Sequence, residues 1–312
     1  MRKNKIQGMK PFNEFYFRSC YYHQLLAALS CVGVDKDSIL ISSFIHICKN
    51  FVIDDKDFFE DKKLQRKLGF KLKKCNITER SLIKSIDKGR PIVVGVDSFY
   101  LGSRPGTYLK RHVPHFVTVY GYDLDNDLLN VVDHDYYKSM EYKEKMVSLS
   151  NILMANNQFK KGVLKRKTTC RKIIKIKAYD NFSIWKDLSA NSLMESRDNS
   201  YFNLENLKMM FYSDLNSLEI KSERICSYLL NLKTMFYTIS NTSKFLENQE
   251  KKQTVAELIS DYSSLVSLFW KMRAQNNFKY AFKQLGKVIR KINEMVLLEE
   301  KIYGYLMEEA NV

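Results

Sequence analysis

Strand signals stop at about residue 185 of this 312-residue chain and do not return. The segments "YFNLENLKMMFYSDLNSLEIKSERICSYLLNLKTMFYTIS" (201–240), "VAELISDYSSLVSLFWKMR" (255–273) and "YAFKQLGKVIRKINEMVLLEEKIYGYLMEE" (280–309) place apolar residues at helical spacing. None contains a proline. Such a segment buries its apolar stripes only by packing helix on helix, so residues 181–312 are expected to form an all-α extension of three or four long helices. Its methionine and aromatic stripes read as core.

The first half alternates. "CYYHQLLAALSCVG" (20–33) predicts a helix, with Tyr22, Leu25, Leu26 and Leu29 on one side and Gly33 where a left-handed residue closes it. "KDSILISSFIHICKNF" (36–51) also reads as helical. "TERSLIKSIDKG" (78–89) reads as a short helix with Thr78 as N-cap and Gly89 as its stop. "RPIVVGVDSFY" (90–100) reads as a buried strand. "HFVTVYGYD" (115–123) and "LLNVVDHDY" (128–136) read as a hairpin turning on "DLDND". "KKGVLKRKTTCRKIIKIK" (160–177) mixes charge with apolar alternation and is expected to be a solvent-facing edge strand. The pattern predicts an α+β domain over 1–180 followed by the helical domain over 181–312.

The formal charge of +16 fits either a Lys-rich solvated surface or an acidic partner. Zinc-finger spacing and RNP-like aromatics are absent from the sequence, so nucleic acid is not expected as a partner. Six scattered cysteines without a CxxC pair suggest a reduced, intracellular chain. "MRKNKIQGMKPFNEFYF" lacks the apolar core of a signal peptide, and no apolar run reaches membrane-span length. The expected location is the cytoplasm, with no membrane association.

Cys20 opens the first long helix, where unpaired N–H groups and the helix dipole favour a thiolate. His115 opens a strand from which an imidazole can serve a thiol as base. Asp133 lies near the end of the next strand and can orient that imidazole. The residues alone leave Cys20 open as a nucleophile or as a structural thiol. Cys31 reads as a small core residue. His112 and His115 form an HxxH, but strand spacing turns them to opposite faces, so no metal site is expected. His23 sits one helical turn from Cys20 and reads as packed or solvated; His46 reads as structural; His134 is expected to face away from Asp133.

Three segments also carry a family likeness: "RSCYYHQLLAALSCVG", "GRPIVVGVDSFYLGSRPGTYLKRHVPHFVTVYGYD" (89–123) and "NVVDHDY" (130–136). With these, residues 10–180 resemble the family of butirosin biosynthesis protein H N-terminal domains, papain-like cysteine enzymes of peptide and antibiotic biosynthesis. More distantly they resemble bacteriocin-processing cysteine peptidases. The resemblance implies a papain-like fold with Cys20 as nucleophile, His115 as base and Asp133 as orienting acid. It implies an oxyanion hole formed by Asn13 and the Cys20 backbone N–H. Tyr100, Arg104 and Tyr108, in the segment before His115, are candidates for substrate binding or for loop packing. The implied reaction moves an acyl or aminoacyl group from a carrier-protein thioester to an amine, as in nonribosomal peptide and related antibiotic pathways. No cofactor is implied beyond the phosphopantetheine of the carrier. The expected partners are an acidic acyl or peptidyl carrier protein and a small amine-bearing or peptide substrate. The alternatives are a peptidase or thioesterase using the same triad, or a non-catalytic scaffold. Homodimerisation through the helical half is left open.

Overall fold

The computed structural model describes residues 2–13, 20–34, 47–49, 52–54, 62–134, 141–163, 170–176, 190–241, 247–275 and 284–311. In chain order the first elements are β1 (Lys3–Lys5), α1 (Cys20–Cys31), β2 (Ile47–Lys49), β3 (Val52–Asp54), α2 (Lys62–Lys67), β4 (Phe70–Cys75), α3 (Glu79–Ile86), β5 (Ile92–Asp97) and β6 (Pro114–Asp123). They are followed by β7 (Leu128–His134), β8 (Tyr142–Ser148), α4 (Leu149–Gln158), β9 (Cys170–Lys175), α5 (Ala190–Ser213), α6 (Leu215–Ser240), α7 (Gln249–Ala274) and α8 (Leu285–Asn311). The class is α+β with an antiparallel sheet.

The chain divides into two compact units. One comprises Met1–Asn13, Arg18–Lys36 and Phe59–Asn181; the other comprises Glu14–Phe17, Asp37–Phe58 and Phe182–Val312. Asp37–Phe58, which the sequence pattern places in the first half, thus belongs to the second unit.

The first unit is built on a sheet in the order β4-β9-β5-β6-β7-β8, with β1 extending the β5 side of β6. All six residues of β5 are buried. Val93 and Thr118 form a cross-strand pair, and the Thr118 hydroxyl donates to the Gln24 carbonyl of α1 at 2.8 Å, so α1 covers that face. Ile92, Val94, Val96, Val117, Val119 and Val131 join Leu82 and Ile86 of α3 and Leu149 and Ile152 of α4 in one core cluster on the other face. A strand covered on both sides reads as the unbroken apolar run "IVVGV", as it does here.

Local sequence explains the ends of the helices. Gly33 adopts φ +83°, and the N–H groups of Gly33 and Val34 reach back to the carbonyls of Ser30 and Leu29, a Schellman closure of α1. Thr78 caps α3 through a reciprocal box with Ser81. A register shift between Val119 and Gly121 bulges β6. A Cβ on Gly121 would come within 2.5 Å of the Asn130 side chain, so the close approach of β7 there requires glycine.

Three expectations are revised. Residues 47–49 form strand β2 rather than the end of a helix, because they pair with Val52–Asp54; positions 36–46, with His46, lie outside the described residues. The basic strand β9 lies between β4 and β5 instead of at an edge. There Cys170 and Ile173 are fully buried, Arg171 and Lys172 are half-buried and Lys175 is exposed, so the long basic side chains lay their stems along the sheet and keep their charged ends outward. The helical run 201–240 breaks at Asp214, whose carboxylate accepts from the Ser217 N–H and starts α6.

In the second unit, α5 packs on α6 and α8, and α7 packs on α6 and α8. The four helices bury Leu207, Phe211, Leu229, Phe236, Leu258, Phe269, Ile292 and Leu306. Among the described residues, no helix is long and apolar enough to cross a membrane.

Candidate active site

The C-terminal ends of β5 and β7, the N-terminal end of β6 and the first turn of α1 meet at one rim of the sheet of the first unit. The last ladder pair of β6 and β7 at this rim is Thr118 with Val132. Just beyond it, His115 and Asp133 converge, with His115 Nε2 2.6 Å from Asp133 Oδ1. Both are buried. A carboxylate cannot donate, so Nε2 carries the proton, which leaves Nδ1 as the nitrogen available to a thiol. The Cys20 thiol hydrogen-bonds the His115 ring and receives a backbone hydrogen bond from Phe116. Thiol, imidazole and carboxylate therefore form one chain of contacts, assembled from residues 20, 115 and 133.

Burial works against ionisation of Cys20, but His115 by hydrogen bond and charge, the Phe116 N–H and the Arg104 charge outweigh it and hold the thiol below its ordinary pKa. His115 moves the opposite way. Burial alone would lower it, yet the Asp133 charge and hydrogen bond, with Cys20 on its other side, raise it above the usual imidazole range. Cys31, Cys75 and Cys226 all move upward because burial dominates, Cys75 to about 11. Cys20 is thus set apart from these three thiols by its partners rather than by its depth.

Asp133 has no exposed surface and is held below the ordinary carboxylate range despite its burial, chiefly by His115, then by Arg104 and Lys145. Its Oδ1 accepts from His115, from the His134 N–H at 2.7 Å and from Arg104 Nη1 at 3.3 Å. Arg104 Nη1 also stands 2.8 Å from His115 Nε2. Both nitrogens are donors in the tautomer above, so this is a contact between two groups flanking the same carboxylate oxygen. Arg104 is 8% exposed, buried among the triad rather than lining an open acceptor site. Tyr108 is exposed, and Tyr100 is half-buried beside the core.

The Asn13 amide is committed elsewhere. Its Nδ2 donates to the Tyr142 carbonyl at 3.1 Å and its Oδ1 accepts from the Tyr142 N–H at 2.8 Å, a backbone-like pairing that anchors the start of β8. Tyr142 borders the triad: burial, followed by the charges of Cys20 and Asp133, raises its phenol. His23 stacks on Tyr142 with centroids 4.6 Å apart, and His134 meets it edge-on at 5.3 Å. Burial pushes His23 down to about 4, which keeps that ring neutral at physiological pH.

Sequence reasoning missed two groups at this rim. One is Gln24, fully buried one turn after Cys20, whose side-chain amide has no hydrogen-bond partner among the described residues. The other is Asp97, 2% exposed, whose Oδ2 lies 2.6 Å from His112 Nδ1. Polar residues inside an apolar run were the available signal for Gln24, and the Asp ending "IVVGVD" was the signal for Asp97. His112 lies outside β6, so the strand-spacing argument does not apply to its orientation. No group of three or more metal-ligating side chains occurs among the described residues. A surface hollow of about 550 Å³ lined by Arg2, Arg80, Lys84, Asp87 and Lys88 shares no residue with the triad.

No protein family matches this sequence, and no curated protein matches it.

Proposed function

We propose that the protein is a cysteine-dependent acyltransferase with a papain-like catalytic unit, Cys20 carrying the acyl group between a thioester donor and an amine acceptor. The observation that carries this reading is the line of contacts from the half-buried Cys20 thiol through buried His115 to buried Asp133, with the thiol lowered by His115 and the imidazole raised by Asp133 first and by Cys20 second.

The chemistry follows from that pairing. The Cys20 thiolate attacks the thioester carbonyl, and the backbone N–H of Cys20 at the head of α1 holds the oxyanion. The C–S bond to the donor breaks, and the donor thiolate leaves with the proton of the His115 imidazolium. An amine then attacks the Cys20 thioester and gives up a proton through His115 to the departing Cys20 sulfur, releasing an amide. Water in the same position makes the site a thioesterase or peptidase, which is the competing outcome. The +16 charge suits an acidic carrier protein delivering its acyl group on phosphopantetheine, as in secondary-metabolite assembly.

The test is intact mass after incubation with short acyl-cysteamine thioesters, for the wild-type chain and Cys20→Ala. An acyl adduct on the wild type alone, discharged by amines into amides, is expected. No adduct on either protein, with Cys20 alkylated no faster than an ordinary thiol, overturns the reading and leaves a non-catalytic module.

A further inference from the structure

A second imidazole, three residues before the first, is also held by a buried carboxylate. Asp97 ends β5, where it pairs with Pro114 while Val96 pairs with His115, so Asp97 lies one register step from His115. Its Oδ1 accepts from the Phe99 N–H at 3.1 Å and its Oδ2 from His112 Nδ1 at 2.6 Å. The His112 ring lies flat on Phe99, with centroids 4.4 Å apart and planes 12° apart, and its side chain is 57% exposed. A buried carboxylate thus fixes one nitrogen and an aromatic face fixes the plane, while Nε2 has no partner among the described residues. This is the arrangement of an oriented general base. Loop closure does not explain it. The Ser98 N–H already bonds Val113 and the Leu109 N–H already bonds Phe99, both at 3.0 Å, so the backbone ties residues 98–113 without His112.

We propose that His112, oriented by Asp97, is a second catalytic base that deprotonates the ammonium group of an amine acceptor, and that the acceptor is therefore a basic primary amine rather than water. This rests on the acyltransferase reading above. A basic amine is an ammonium ion at neutral pH and must lose two protons to become an amide. The first goes to His112 Nε2, which frees the nitrogen lone pair. That lone pair forms the C–N bond with the acyl carbon, and the C–S bond to Cys20 breaks. The second proton passes through His115 to the leaving Cys20 sulfur, and the His112 imidazolium returns its proton to water. Hydrolysis needs only one base, so a second one fits the amine route.

The experiment preloads Cys20 with an acyl-cysteamine donor and follows discharge of the acyl-enzyme by intact mass. Two acceptors are compared: ethanolamine, protonated at neutral pH, and hydroxylamine, neutral at the same pH. In His112→Gln the acyl-enzyme is expected to form, to discharge to hydroxylamine as in the wild type, and to discharge to ethanolamine roughly 10²-fold more slowly. Asp97→Asn is expected to show the same selective loss, smaller in size. Discharge to ethanolamine at the wild-type rate in His112→Gln overturns the inference. So does an equal slowing with both acceptors, which is the signature of a merely structural latch. A wild-type chain that never acylates fails the acyltransferase reading itself and is told apart by that first step.

Discussion

Two buried carboxylates, one from each unit, fare in opposite ways. Asp133, in the first, is held ionised by His115, Arg104 and Lys145. Glu299, in the helical unit, is 3% exposed and accepts a hydrogen bond from the Tyr262 hydroxyl, and burial pushes it up to about 7. Both are desolvated. What differs is the neighbours: cations and N–H donors around one, a phenol against the other. Depth alone protonates a carboxylate, and depth with cationic partners makes it a working anion.

The strongest challenge to that contrast is Asp133→Ala. It leaves Arg104 and His115 buried without their counter-ion, and a loss of about 3–5 kcal/mol is expected in denaturant unfolding, with slower alkylation of Cys20. A loss below about 1 kcal/mol, the range of an exposed pair, would show that Asp133 is not the hub of the network.

Glu299→Gln comes next and is read through pH. The folded pKa of about 7 stands above the ordinary glutamate value of 4.5, so the folded state holds the extra proton and stability falls as pH rises through that window. Roughly 2.5 pH units at about 1.36 kcal/mol each gives a fall on the order of 3 kcal/mol. The glutamine cannot titrate, and its unfolding free energy is expected to lose this slope. Parallel wild-type and variant curves from pH 4 to 8 would rule the titration out. Asp133 has the opposite sign: its lowered pKa gives stability present at neutral pH and lost on acidification through the carboxylate range.

The smallest effect sharpens the picture at Asn13. Asn13→Ala removes both hydrogen bonds to the Tyr142 backbone, and a loss of about 1–3 kcal/mol is expected while acylation of Cys20 proceeds. Unchanged stability with acylation reduced about 10²-fold would instead assign its amide to the oxyanion.

The legible parts of this molecule are those whose signals are local. The Cys20 helix announces itself by its apolar spacing and Gly33, and the His115–Asp133 hairpin by two β-rich runs around an Asp/Asn turn. The four-helix unit is legible because a periodicity sustained over a hundred residues has few other solutions. The illegible parts depend on what the rest of the chain builds around them. Nothing near "GSRPGT" says that Arg104 folds inward onto a carboxylate 29 residues later. Lys-rich β9 carries the composition of an edge, yet two neighbours claim both its sides. Asn13 is too far from Tyr142 in sequence for any local rule to pair them. At 47–49 an apolar run short enough to be either helix or strand was settled by its partner strand.

The route by which α1 meets its sheet has a consequence for synthesis. Cys20 leaves the ribosome before the groups that sharpen it, at 104, 115, 116 and 133, which follow about a hundred residues later. Until β6 and β7 are made and paired, Cys20 is an ordinary cysteine in a nascent helix. Its reactivity is a late-acquired property of the finished unit, so the speed at which Cys20 is alkylated is also a clock for the completion of folding.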